Sequence, residues 1–337
     1  MRPNIFNIAT KELNQDAFIT WLLQFADEKC KEYDEQLNEC GIEFVTELIK
    51  KQLPEFCDKI INVKAGRQWA NIDVWAEINN EYLIIIEDKT NTSHHSDQLI
   101  RYKKNASDWC FKNNYKEPIC IYLKTGNEAQ SSLNNIVKQG FAIFNRKTFI
   151  NLLCKYEKSE NDIFIDFFNR LLKIEKSHNE YENKNVADWI SADWEGFYQY
   201  LEKEINLINW NFVNNQNGGF WNAVLNWNFW RIYPAYLQIE QGNLCFKIST
   251  HPDDVDFPEN ISRSEIRDEL HNLIITNAKE FGFKNIVRPN RFGNGNYMTV
   301  AIVETENWLG RNNSRIEKDK VSETLKSYIR FIEKITK

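Results

Sequence analysis

The stretch Tyr82–Lys89, YLIIIEDK, limits what this chain can fold into more than any other. Its apolar run shows no alternation, which marks a strand covered on both faces of a sheet. Yet it ends in Glu87, Asp88 and Lys89, so the fold has to deliver three charges to the mouth of its most enclosed strand. The preceding segment, NIDVWAEI, alternates apolar and polar residues, and Asn79-Asn80 between the two reads as a hairpin turn. Antiparallel pairing about that turn sets Asp73 opposite Glu87. Period-two alternation then puts Glu87 and Lys89 on one face and turns Asp88 to the other.

The surrounding pattern predicts where this hairpin sits. A helix is expected from Asn14 onwards, with Phe18, Trp21, Leu22 and Phe25 at helical spacing, and a second over Gly41 to Gln52. KIINVKAGRQW supplies the first strand of the meander. SDQLIRYKKNASDWCF follows as a helix, PICIYLK as another buried strand, and GFAIFNRKTFINLLCKY as a short strand leading into a helix. The order is α, β, β, β, α, β: an antiparallel meander, then a crossover through a helix to a further central strand. A helix from about residue 160 precedes the polar stretch SHNEYENKN, read as a linker. Beyond it lies an α+β half. It has a helix at DWEGFYQYLEKEINL, strands through GGFWNAVLNWNFWRIYPAYLQIE and NLCFKIST, and a helix from Arg263 to Phe281. Strands at NIVRPN and NYMTVAIVE and a long final helix complete it. The expected domains are residues 1–175 and 189–337, with 176–188 between them.

Two carboxylates converging on one strand end repel each other unless a cation lies between them. Oxygen-only ligation suits Mg²⁺ or Mn²⁺, which keep waters and bind substrate phosphate. A lysine beside such an ion can orient the water for in-line attack on phosphorus. The chemistry these residues suggest is phosphodiester hydrolysis.

The pattern from Asp73 to IIIEDK resembles the core motif of the PD-(D/E)xK nuclease superfamily, over roughly residues 1–155. The resemblance implies a restriction-endonuclease-like α/β core, α-β-β-β-α-β with a mixed central sheet, here joined to a C-terminal α+β domain. It implies metal ligation by Asp73, Glu87 and the carbonyl of Asp88, with Lys89 acting on the water. Ile72 stands where a proline often precedes the first acid. Gln98 and Tyr102 form a QxxxY spacing similar to the accessory motif of the RecB-like branch; one helical turn apart, they can face the same site. TKELNQDAF resembles the opening of bacterial members in which an acid of the first helix reaches the metal cluster. Glu12 is the candidate here and Asp16 the second. Read blandly, Glu12 is only an acid favouring a helix start, and Gln98 and Tyr102 ordinary helix surface.

The net charge of -6 gives no global attraction to phosphate. Binding of nucleic acid then depends on the metal and on a local track, for which Lys64, Arg67, Arg101, Lys103 and Lys104 are the candidates. The seven cysteines are scattered without a CxxC pair, against a zinc site or a disulfide framework and in keeping with a reducing cytoplasm. No signal-peptide core or membrane-length apolar run appears, so a cytoplasmic protein with no membrane partner is expected. His94-His95 reads as a polar loop. Trp221, Trp227, Trp230 and Tyr233 suit base stacking but more often form core, and the loop 288–298, with Arg288 and Arg291, suits phosphate or is only a connection. The expectation is a Mg²⁺-dependent deoxyribonuclease of bacterial restriction, phage defence or DNA repair, with self-association possible. RNA cleavage, or a non-cleaving nucleic-acid-binding or ligand-sensing role on the same fold, is the alternative.

Overall fold

Asn79 and Asn80 both adopt positive φ, 53° and 54°, and the Glu81 N–H closes the turn onto the Ile78 carbonyl at 3.0 Å. The hairpin they close pairs Val74 with Ile86 and Ile78 with Tyr82. The computed structural model describes residues 2–90, 97–216, 218–240, 242–256 and 261–337. The chain divides into two compact units, Met1–Glu128 with Ser132–Lys176, and Ala129–Ser131 with Ser177–Lys337.

The first unit contains α1 (Glu12–Phe25), α2 (Glu35–Lys50), β1 (Val63–Trp69), β2 (Ile72–Ile78), β3 (Tyr82–Lys89), α3 (Gln98–Asn113) and β4 (Ile119–Lys124). The element α4 (Gln130–Lys138) comes next, then β5 (Ala142–Asn145), α5 (Arg146–Cys154) and α6 (Asp162–Asn179). The sheet order is β1-β2-β3-β4-β5. The first three strands are antiparallel, whereas β3, β4 and β5 run parallel. All eight residues of β3 are buried because both of its faces carry a core. Ile84 and Ile86 belong with Val74, Ile121 and Leu123 to a layer packed by aromatic side chains of α1, α2, α5 and α6. Phe18 stacks on Phe167 there at 3.7 Å, and Phe44 on Phe149 at 5.0 Å. Leu83 and Ile85 face the other way, against Leu99, Tyr102, Ala106 and Cys110 of α3. The absence of alternation in YLIIIEDK is therefore the imprint of two cores.

Helix α2 starts at Glu35, six residues before the expected Gly41, because the Asp34 side chain accepts the N–H of Leu37 and caps it. Gly41 lies inside that helix, where a β-carbon would stand 2.7 Å from Ala26 N and Leu22 O of α1. Close approach of the two helices thus requires the glycine. Helix α4 was not expected; its sequence, QSSLNNIVK, buries only Ile136.

The second unit holds α7 (Ser191–Ile205), β6 (Asn209–Val213), β7 (Phe220–Val224), β8 (Asn228–Trp230), β9 (Tyr233–Glu240), β10 (Asn243–Ser249), α8 (Arg263–Glu280), β11 (Tyr297–Val303) and α9 (Lys318–Ile335). Its sheet runs β11-β10-β9-β7-β6, with β8 paired to β9. The stretch 176–188, expected as a linker, is structured: α6 continues into it, and 3₁₀ turns cover Glu180–Asn183 and Val186–Asp188. Tyr181 and Val186 are buried in the core of the second unit beside Trp189. Polar contacts complete the hold, Lys184 with Asp193 at 2.9 Å and the Val186 N–H with the Ser314 carbonyl at 3.1 Å, so the stretch carries no apolar period. The expected strand NIVRPN amounts to a single bridge, Val287 to Ile302. Trp230 and Tyr233 lie in the core and Trp221 packs on it, while Trp227 is partly exposed and stacks on Tyr236 at 4.7 Å. Among the described residues no helix is long and apolar enough to cross a membrane.

Candidate active site

The register of the hairpin brings Asp73 of β2 to the end of β3, and α1 begins beside them with Glu12. Lys89 Nζ stands among the three acids: 2.7 Å from Glu87 Oε1, 3.3 Å from Asp73 Oδ2 and 3.9 Å from Glu12 Oε2. It also donates to the carbonyl oxygen of Asp88 at 3.0 Å. Backbone amides fix the acids in turn. Asp88 N–H donates to Asp73 Oδ2 at 3.0 Å, and Thr90 N–H to Glu12 Oε1 at 2.9 Å. From α3, Gln98 Nε2 donates to Glu87 Oε1 at 3.0 Å and to the Tyr102 hydroxyl at 2.7 Å. The cluster grades outward: the Glu87 side chain is 0% exposed, Asp73 21% and Glu12 30%. Its mouth is therefore on the side of Glu12 and Asp73.

Burial pushes the Glu87 carboxyl up to about 7, and the charge of Asp73 adds to the effect while Lys89 opposes it. Burial alone would lower Lys89, but Glu87, Asp73 and Glu12 together overcome it and hold the ammonium protonated well above its usual range. Burial likewise raises the Tyr102 hydroxyl. Three carboxylates thus share one ammonium, an arrangement with room for further positive charge.

The other face of the strand end differs. Asp88 Oδ1 accepts from Gln15 Nε2 at 2.6 Å, and Gln15 Oε1 accepts from the Thr125 hydroxyl at 2.9 Å. Asp16, one turn after Glu12, lies on this side; burial pushes its carboxyl up to about 6. Asp88 is raised well above the usual carboxylate range by burial first and by the Asp16 charge second. Asp16, the second candidate for an acid reaching the cluster, is thereby a neighbour of the Asp88 side chain, and Glu12 is the acid of α1 in contact with Lys89.

A hard divalent cation has suitable donors here in Asp73, Glu87 and the Asp88 carbonyl. Among the described residues Glu87 Oε2 is buried with no hydrogen-bond partner, an oxygen that such an ion would satisfy. Among the described residues no three His, Cys, Asp or Glu side chains stand as a ready ligand group. The Lys89 ammonium occupies the space between the acids, so ligation requires that it shift outward.

The five basic residues expected as one phosphate track are split. Arg67 donates to the Leu13 carbonyl at 2.9 Å, at the start of α1 beside the cluster. Lys64 pairs with Glu77 at 3.1 Å, four residues along β2 from Asp73. Arg101, Lys103 and Lys104 are exposed on α3. The physical reason is strand geometry: β1 carries Lys64 and Arg67 about 10 Å apart along its length. In the second unit Arg288 stacks on Phe292 at 4.2 Å; His94 and His95 lie outside the described residues.

Several residues escaped sequence reasoning. Gln15 and Thr125 hold the far face. Lys124 is the register partner of Lys89 on β4; it lies 3.3 Å from Glu128 Oε2, which also accepts from the Tyr122 hydroxyl at 2.8 Å. The signal was present: PICIYLK, like YLIIIEDK, ends an apolar run in a lysine. Comparison with protein-family models, with curated proteins and with solved structures returns no match.

Proposed function

We propose that the first unit is a metal-dependent phosphodiesterase of the PD-(D/E)xK kind, a deoxyribonuclease in bacterial defence, restriction or DNA repair. One observation carries the reading: Asp73, Glu87 and Lys89 meet at one strand end with Glu12, where a buried oxygen of Glu87 has no hydrogen-bond partner among the described residues. A mixed sheet whose antiparallel meander leads through a helix into a parallel strand supports it, as does Gln98 bonded to both Glu87 and Tyr102.

Asp73, Glu87 and the Asp88 carbonyl would hold Mg²⁺ or Mn²⁺. Such an ion supplies charge stabilisation at a phosphoryl oxygen and a more acidic bound water. The chain's own groups do the rest. Lys89, protonated and held by three acids, presents N–H donors that orient the attacking water. Gln98 fixes one oxygen of Glu87 and leaves the other for ligation. The Asp88 N–H keeps Asp73 turned towards the mouth.

A cleavage assay tests this. Wild type is incubated with Mg²⁺ or Mn²⁺ on linear and circular, single- and double-stranded DNA and on RNA, beside Asp73→Asn and Lys89→Ala. Cleavage lost in both variants and in EDTA is the expected result. The ammonium seated among the acids favours one second reading, a nucleic-acid-binding protein whose lysine is a permanent counter-ion. Binding without cleavage under every metal condition would select it.

A further inference from the structure

Asp73 is not alone on its face of β2. Val74, Ala76 and Ile78 point into the layer shared with α1 and α2, so alternation places Trp75 and Glu77 on the same face as Asp73. Trp75, Trp69, Trp109 and Leu83 enclose a cavity of about 230 Å³, with Glu77 and Lys64 at its edge. Trp69 meets Trp109 at 5.8 Å and 77°. The Trp75 indole is pressed against the backbone of β1 at Gly66, where a β-carbon would come within 2.7 Å of the ring. Glu77 is fixed by the Tyr115 hydroxyl, which donates to Oε2 at 2.8 Å. Lys64 is the yielding wall: its side chain is 74% exposed, its ammonium 5.3 Å from the Trp75 ring centroid.

We propose that this cavity receives one unpaired nucleobase of a single-stranded DNA substrate, whose adjoining phosphodiester reaches Asp73, Glu87 and Lys89; the assignment rests on the nuclease reading above. Three indoles give stacking surface that any base can use. The volume is below the roughly 300–1,000 Å³ of pockets for drug-sized ligands, so it fits one planar ring system rather than a whole nucleotide. Trp75 lies two residues from Asp73, about 7 Å along the strand, which is within the reach of a single nucleotide. Glu77 offers a carboxylate acceptor. Cytosine, adenine and guanine present an exocyclic amino group to it and thymine does not. A paired, stacked base cannot enter without being extruded from the duplex, so the cavity selects single strands and frayed ends.

The test uses the full chain and a labelled short single-stranded deoxyoligonucleotide of mixed sequence. Anisotropy is read in EDTA, so that binding is measured without cleavage. Trp75→Ala is expected to weaken binding about tenfold, a loss typical of one stacked base, and Trp75→Phe to restore most of it. Gly66→Ala, which displaces the indole and leaves its chemistry intact, should weaken binding to a similar degree. Oligothymidine should bind less well than oligocytidine, and Glu77→Gln should narrow that gap. Melting temperatures confirm that the variants are folded. Equal binding by wild type, Trp75→Ala and Gly66→Ala would overturn the proposal. So would competition by tetramethylammonium and not by free nucleosides, which would make the cavity a cage for a cation. Asp73→Asn separates the two readings: base-dependent binding with no cleavage by wild type refutes the nuclease alone. Cleavage lost in Asp73→Asn but indifferent to Trp75 refutes the base pocket alone.

Discussion

The two faces of one strand end solve the same problem in opposite ways. On the front, Glu87, Asp73 and Glu12 share the Lys89 ammonium and grade outward to solvent. On the back, Asp88 and Asp16 are neighbours with no ion pair to a lysine or arginine among the described residues, closed off by Gln15 and Thr125. Burial raises both acids, Asp16 to about 6 and Asp88 well above the usual carboxylate range, so this face favours holding a proton. The front sets one ammonium among three acids, which leaves room for the positive charge of a ligand. Only the front has both a cation among its acids and a side open to solvent, which makes it the face suited to a ligand.

Removing the cation should break the comparison most severely. Lys89→Ala is expected to lower the cleavage rate about 10²–10³-fold, the usual cost of removing one preorganised hydrogen-bond donor. It should also lower the melting temperature in EDTA, because three acids are then left together without a counter-charge. Lys124→Ala, made at the register partner on β4, is the control. It should lower stability through Glu128 and leave front-face chemistry within about tenfold. Steady-state rates and thermal melts of the two variants check this.

Metal dependence sharpens the contrast next. A ligand that binds only the folded protein at a hundred times its dissociation constant adds about 2.7 kcal/mol. Mn²⁺ should therefore raise the melting temperature of wild type, and Asp73→Asn should abolish the rise. Asp88→Asn should keep it, since that residue meets the front through its backbone carbonyl and N–H and not its side chain. A shift lost equally in both variants would show that the two faces are not separate.

How much of this was legible in the sequence follows from the same geometry. The hairpin was readable because Asn79-Asn80 demands its own turn and because β3 has no polar face. From these the pairing of Asp73 with Glu87 follows by counting. Glu12 was within reach of motif resemblance, and it contacts Lys89. Choosing between Glu12 and Asp16 needs the tertiary fold, because a helix turns about 100° per residue and the aim of each acid depends on the angle at which α1 crosses the sheet. The indoles of Trp69, Trp75 and Trp109 come from three elements, and only the tertiary fold shows that they share a cavity. The stretch 176–188 shows no apolar period for a simpler reason: only Tyr181 and Val186 of it enter the core, while Lys184 and His178 hold it through Asp193 and Glu195.

The back face permits a pH test whose sign is opposite to the usual carboxylate case. Burial holds the Asp16 carboxyl at about 6 in the folded chain, against about 4 when unfolded. Between these values the folded state keeps a proton that the unfolded state has released. The contribution to stability is therefore complete below pH 4 and is lost as pH rises through 6. Asp16→Asn, measured in EDTA, should stabilise the protein at neutral pH by on the order of 1–2 kcal/mol. The gain should vanish near pH 4, as read from denaturant midpoints across that range. A gain independent of pH would mean that the acid pair is not what the back face stores.

The smallest effect belongs to the support of the front. Gln98 donates one N–H to Glu87 and the other to the Tyr102 hydroxyl. Tyr102→Phe removes only the second acceptor and leaves Gln98 bonded to Glu87. One hydrogen bond of this kind is worth about 1 kcal/mol, so kcat should fall roughly fivefold with little change in melting temperature. Gln98→Ala releases Glu87 itself and should cost more than Tyr102→Phe, and the double variant no more than Gln98→Ala. Additive losses in a double-mutant cycle would instead give Tyr102 a contact of its own with the substrate, independent of Gln98.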